Sequence, residues 1–193
     1  MNFLAHLFLA RDNEDLLLGN FIADFIRNKE MKNYSDAIQK GIILHRQIDS
    51  YTDTHPLVKQ GTRRLQKDHR KYAPVIVDVF YDYLLANNFD RYSEESLDDF
   101  CNKVYQILEK RMNVLPEKLQ RRLPQMVAHQ WLQNYKTEKG IRYTFLRLTE
   151  RVSKPEYFDH VVDHLLEQKE AFTQEFNGFF PKVIEYVSNQ RSL

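Results

Sequence analysis

The sequence predicts an all-α protein, a compact single-domain bundle of about eight helices over residues 1–193. Three observations predict it. Apolar residues recur at three- and four-residue spacing through most of the chain, and no segment alternates convincingly at period two. Only 5 Gly and 6 Pro are present, too few for a loop-rich or all-β chain. Hydrophobic residues make up 42% and charged residues 28%, which allows a real core under a solvated surface, and 13 Phe with 11 Tyr imply bulky packing or a large pocket wall.

The first segment, residues 2–10, is apolar apart from Asn2 and His6. It lacks the basic start of a signal peptide, and it is far shorter than the roughly 20 residues that span a bilayer. It reads as a buried element that places a histidine. Residues 12–28, DNEDLLLGNFIADFIRN, read as a second helix. Asp12 or Asn13 caps it, and Glu14 and Asp15 suit the positive end of its dipole. Leu17, Phe21 and Asp24 share a face, so a carboxylate stands inside an apolar run.

Ser35 caps a third helix that contains GIILHRQIDSYTD. At about 100° per residue, Ile38, Ile42, His45 and Asp49 fall within one narrow arc, with Thr52 and Asp53 close to it. An apolar stripe thus ends in an imidazole and a carboxylate. At i, i+4 these two can share a metal ion or a proton, or close the stripe as an ion pair, and on this stretch alone both readings stand.

Capping residue types between Tyr51 and Pro56 end that helix. Residues 56–71 form a strongly basic helix with Lys59, Arg63, Arg64, Lys67, Arg70 and Lys71, a pattern whose default reading is a solvated face. Residues 74–86, PVIVDVFYDYLLA, are apolar around almost the whole circumference, as a buried helix is. Their only charges are Asp78 and Asp82, again at i, i+4. Buried like charges repel and lose hydration, so Arg or Lys, a shared proton or a cation must neutralise them.

Ser93 caps a long amphipathic helix through about Arg111. Pro116 restarts the chain, and Pro124 breaks or kinks it. Helices over Met126–Lys136 and Ile141–Val152 follow. From Pro155 to about Asn189 one or two long helices remain, with the break at Gly178 and Pro181.

The formal net charge of +1 gives no general signal for nucleic acid or membrane, and neither is expected as a partner. A single cysteine, Cys101, excludes an internal disulfide and a thiolate metal cage, and it suits a reducing cytosol. No Gly-rich phosphate loop, GxSxG, HExxH or Glu-x-x-His occurs.

What remains is a set of polar residues on four apolar helices: His6, Asp24, His45, Asp49, Asp78 and Asp82. If these helices pack around one core, the set converges. Mixed nitrogen and oxygen ligands suit Mn²⁺, Fe²⁺ or Mg²⁺ better than a structural zinc, and the chemistry would be a metal-activated water acting on an ester or phosphoester. A second cluster, Asp159, His160, Asp163 and His164 in FDHVVDH, has metal spacing as well. Its helix turns a different, apolar face inward, so it reads as a solvated face.

The segments MNFLAHLFLA, GNFIADFI, GIILHRQIDSYTD and APVIVDVFYDYLL, in this order, resemble the bacterial acyl-carrier-protein phosphodiesterase family. The resemblance is most specific over residues 1–86. It implies a cytoplasmic, all-helical enzyme of fatty acid metabolism, distantly HD-domain-like. It also implies hydrolysis of holo-acyl carrier protein to the apo form and 4′-phosphopantetheine with a divalent cation, typically Mn²⁺. Asp24 matches the aspartate expected to be essential. His6, His45, Asp49, Asp53, Asp78 and Asp82 fall in the other recurrent segments, and Asp24, His45 and Asp49 are the expected catalytic residues. No His-Asp dipeptide occurs, so the HD motif assigns no ligand.

Arg46 flanks the expected ligand face and could bind a phosphate oxygen or make an ordinary surface ion pair. An acidic carrier would give the basic helix a docking role through Arg63, Arg64, Lys67, Arg70 and Lys71. Two other functions compete: a metal phosphohydrolase acting on a small nucleotide or phosphoester, and a non-catalytic helical module whose carboxylates pair with Arg or Lys.

Overall fold

The computed structural model describes residues 2–191. Among them it contains ten α-helices, several short 3₁₀ turns and no strand. The helices are α1 (Phe3–Leu9), α2 (Glu14–Ile22), α3 (Asp36–Thr54), α4 (Pro56–His69), α5 (Ala73–Asn87), α6 (Leu97–Lys110), α7 (Glu117–Ala128), α8 (Glu138–Thr149), α9 (Val161–Glu167) and α10 (Lys169–Arg191).

Local chemistry sets most of the starts. Asn2, Asn13, Ser35, Ser96 and Thr137 each accept a backbone N–H in the first turn of the helix that follows. The His55 ring does the same for α4, whose first residue is Pro56.

Helix α5 lies at the centre, packed against α1, α4, α8 and α10. Its side chains from Ile76 to Ala86 are buried apart from Asp78. Helix α10 supplies an aromatic layer: Phe172, Phe176, Phe179 and Phe180 are fully buried, and Phe176 meets Tyr81 edge-on at 5.3 Å.

Helices α2 and α3 cross with their backbones in direct contact. A Cβ on Gly19 would stand 2.1 Å from the Ile38 carbonyl oxygen, and one on Gly41 would stand 2.4 Å from the Leu16 oxygen. Both positions need glycine because the two backbones touch.

Several boundaries differ from the sequence expectation. The second helix stops at Ile22, and Asp24 lies in a 3₁₀ turn, Ala23–Phe25. Ser96 caps α6, while the Ser93 hydroxyl accepts the Glu95 amide in the preceding turn. Pro124 and Pro181 sit inside continuous helices. Both are on exposed faces, where water can take up the carbonyl that a proline leaves without its donor. The break in the last quarter falls at Gln168 instead. Residues Met126–Lys136 are not one helix: α7 ends at Ala128, Gln130 adopts φ 48°, and a 3₁₀ turn covers Gln133–Lys136.

Candidate metal centre

Two helices and one turn supply the imidazoles and carboxylates of the site. Helix α1 contributes His6, α3 contributes His45 and Asp49 one turn apart, and the turn after α2 contributes Asp24. The imidazoles are buried, at 3% and 6% exposure, and stack with centroids 4.0 Å apart and planes 19° apart.

Behind them lies Asn20, the residue after Gly19, which the close α2–α3 crossing places between the rings. Its Oδ1 is 2.9 Å from Nδ1 of His6 and 2.9 Å from Nδ1 of His45. Its Nδ2 is buried without a hydrogen-bond partner. In front lie the carboxylates. His6 Nε2 is 3.0 Å from Asp49 Oδ1, and His45 Nε2 is 3.1 Å from both Asp49 Oδ2 and Asp24 Oδ1. The carboxylates form the open side, with the Asp49 side chain 40% and the Asp24 side chain 65% exposed.

The electrostatics follow from this layering. Burial pushes the His6 imidazole down to about 4, against the raising effect of Asp49. Burial opposes charge on His45 too, but hydrogen bonds to Asp24 and Asp49 outweigh it and lift that ring to about 9. Burial would raise Asp49, yet its contacts with His45 and His6 hold it well below the usual carboxylate range. The hydrogen bond with His45 lowers Asp24.

Every nitrogen of the two rings faces an oxygen acceptor. With the Asn20 oxygen turned to both rings, satisfying all four with protons requires two stacked imidazolium ions, which burial of His6 and like-charge repulsion oppose. A cation at the Nε2 ends would resolve the conflict, since each ring would then keep its Nδ1 proton for Asn20 and turn a lone pair outward. Ligand atoms of His6, His45 and Asp49 all lie within 4.8 Å of one another. The donor set therefore fits a divalent cation.

Not all expected ligands are here. Asp82 is fully buried, and its carboxylate accepts the Leu4 and Ala5 amides at 2.8 and 3.1 Å. The amino end of α1 offsets its charge, and burial still pushes it up to about 7. Asp78 stands apart as well, with Asp53, Lys59 and Arg63 around a cleft between α3, α4 and α5. Burial, and then Asp78, push the Asp53 carboxyl up.

The Arg46 guanidinium reaches Met31 Sδ at 4.0 Å, away from the His–Asp group. Arg63 and Lys67 are exposed on α4, and Arg70 and Lys71 are exposed in the 3₁₀ turn Arg70–Tyr72, because the basic helix ends at His69. Arg64 is not available for docking: it pairs with buried Glu175 at 2.5 and 3.0 Å and ties α4 to α10. The second cluster is no ligand set, because the Asp163 carboxylate pairs with Arg142 and His164 Nδ1 lies 3.0 Å from Nε2 of buried His69. Sequence reading missed Asn20, although it lies in the same apolar run that made Asp24 conspicuous.

A helical bundle that gathers two imidazoles and two carboxylates, with an ionised acid facing solvent, has the build of a hydrolase. The family model for acyl carrier protein phosphodiesterase matches residues 1–183. The chain belongs to that family. It is 30% identical over 192 residues to an acyl carrier protein phosphodiesterase of Pectobacterium atrosepticum, covering 99% of this chain and 100% of that one. It is 38% identical over 136 residues to the Yersinia enterocolitica protein of the same name, 70% of each chain, and 29% identical over 195 residues to the Escherichia coli O6:H1 protein, covering 98% and 99%. No solved structure matches, so kinship with HD-domain phosphohydrolases rests on the resemblance alone. Among the described residues no helix is long and apolar enough to cross a membrane.

Proposed function

We propose that this chain is a divalent-cation-dependent phosphodiesterase that hydrolyses holo-acyl carrier protein to the apo form and 4′-phosphopantetheine. Family membership supports the substrate and reaction type. One observation supports the cation: four ring nitrogens on His6 and His45, each facing an oxygen.

His6, His45 and Asp49 would hold the ion, Mn²⁺ first and Mg²⁺ or Fe²⁺ next. When bound, it supplies Lewis-acid activation of the phosphodiester and of water. Asn20 fixes both rings with the proton on Nδ1. Asp24, ionised and open to solvent, accepts the proton of the attacking water. Asp24 gives up that proton to solvent, the departing serine oxygen takes one from solvent and leaves as a hydroxyl, and the arm leaves as a phosphomonoester. Arg63 and Lys67, exposed on α4, face the acidic carrier, and Arg63 lines the cleft that contains Asp53, one turn along α3 from Asp49.

The test is direct. Holo-carrier incubated with the protein and Mn²⁺ loses the mass of its arm in a mass spectrum, and EDTA abolishes the loss. An unchanged carrier alongside hydrolysis of a small nucleotide would transfer the chemistry to a small-molecule substrate. A protein that retains no cation and hydrolyses nothing would be a binding module.

A further inference from the structure

An open-mouthed crevice of about 130 Å³ lies beside the His–Asp group, between the Ala23–Phe25 turn, α7 and α8. Phe3, Phe25, Met126, Trp131 and Leu148 form its walls, and Asn2 and Asn134 add polar groups. Asn2 and Phe3 also line the narrow cleft that contains His6, Asp24 and His45, so the two spaces adjoin. Phe25 directly follows Asp24 in the chain.

Arg122, Arg147 and Arg151 converge on the same crevice, and none has a carboxylate partner among the described residues. Arg147 lies over the Trp131 ring, 3.7 Å from its centroid. Burial, then Arg151 and Arg147, pull the Arg122 guanidinium below its ordinary value, as uncompensated neighbours of like charge do.

We propose that this crevice is the subsite for the pantetheine arm. The scissile phosphate would lie at Asp24, the arm's methyl and methylene groups against Phe3 and Phe25, and its amide carbonyls within reach of the arginines. The proposal rests on the phosphodiesterase reading and adds an order: the carrier on the α4 side, the phosphate at the His–Asp group, the arm in the crevice. The lining suits it, since sites for ligands of this kind have mostly apolar walls and a few placed polar groups. The charge suits it as well. Guanidinium groups without a carboxylate partner attract the phosphate that adjoins the crevice and can donate to the arm's carbonyl oxygens.

The chain's one tryptophan, Trp131, is a built-in reporter. Titrating the full chain with 4′-phosphopantetheine is expected to change its fluorescence saturably, while inorganic phosphate at the same concentrations does not. Arg122→Ala with Arg151→Ala is expected to weaken this binding about tenfold and to raise KM for holo-carrier about tenfold, with kcat within a factor of two. Thr144→Phe, which narrows the crevice from its wall, is expected to do the same, with far-UV circular dichroism verifying that each variant is folded. A silent Trp131, an equal response to inorganic phosphate, or unchanged affinity in both folded variants would overturn the subsite. If Trp131 saturates with 4′-phosphopantetheine but holo-carrier is never cleaved, the subsite stands and the reaction assigned to the site falls. If the carrier is cleaved while Trp131 is silent, the reverse holds.

Discussion

Asn20→Ala is expected to weaken Mn²⁺ binding about thirtyfold without contacting the ion. The amide oxygen makes two hydrogen bonds of 2.9 Å, one to each histidine. Each is worth about 1 kcal/mol net, so losing both costs about 2 kcal/mol, or roughly thirtyfold in Kd. That lies within the 10–100-fold typical of groups that orient metal ligands. Without the amide, each ring is free to carry its proton on Nε2 and donate it to Asp49 or Asp24, removing the lone pair a cation needs. Isothermal titration calorimetry of the metal-free protein with Mn²⁺ measures the loss. Asn20→Asp keeps an acceptor for both rings and is expected to bind within about threefold of the parent. If a folded Asn20→Ala protein binds Mn²⁺ as tightly as the parent, the rings do not depend on that amide. If Asp and Ala substitutions weaken binding equally, packing and not proton placement is what Asn20 supplies.

Asp24→Asn is expected to lower kcat by about 10²- to 10³-fold with a smaller loss of Mn²⁺ affinity, read by steady-state kinetics beside calorimetry. Arg63→Glu is expected to raise KM for holo-carrier and leave thermal stability intact, whereas Arg64→Ala strands the Glu175 charge at 4% exposure and is expected to cost about 3 kcal/mol in denaturant unfolding. Asp82 binds its proton more tightly in the fold, at about 7 against an ordinary 3.8, so the native state holds more protons between those values. Its contribution to stability is full below about pH 4 and is lost as pH rises through about 7, on the order of 4 kcal/mol. Asp82→Asn is expected to flatten that part of the stability–pH curve, measured by urea melts at fixed pH.

The helical character of α3 and α5 was legible because their apolar runs are long, α3 starts at the capping Ser35 and α5 has Pro74 in its first turn. The pairing of His45 with Asp49 was legible because one helical turn fixes it. His6 and Asp24 stood out as polar residues within apolar runs, and the same signal was present at Asn20. Asp82 obeyed the rule and still misled. Periodicity shows that a carboxylate is buried, but not that amides 77 and 78 residues earlier satisfy it. Arg64 misled for a similar reason, since its partner Glu175 lies 111 residues away. The end of α2 at Ile22, which leaves Asp24 in a 3₁₀ turn, has no stop signal in the apolar run around it.

The crossing of α2 and α3 has a consequence for genetics and for design. A screen for inactive variants is expected to return Gly19 and Gly41 beside the histidines, although neither has a side chain to offer a ligand. Separating the two backbones by a single methyl group would withdraw Asn20 from the rings and mimic a chemical lesion. Anyone grafting these ligands onto another bundle would have to graft the glycine contact too.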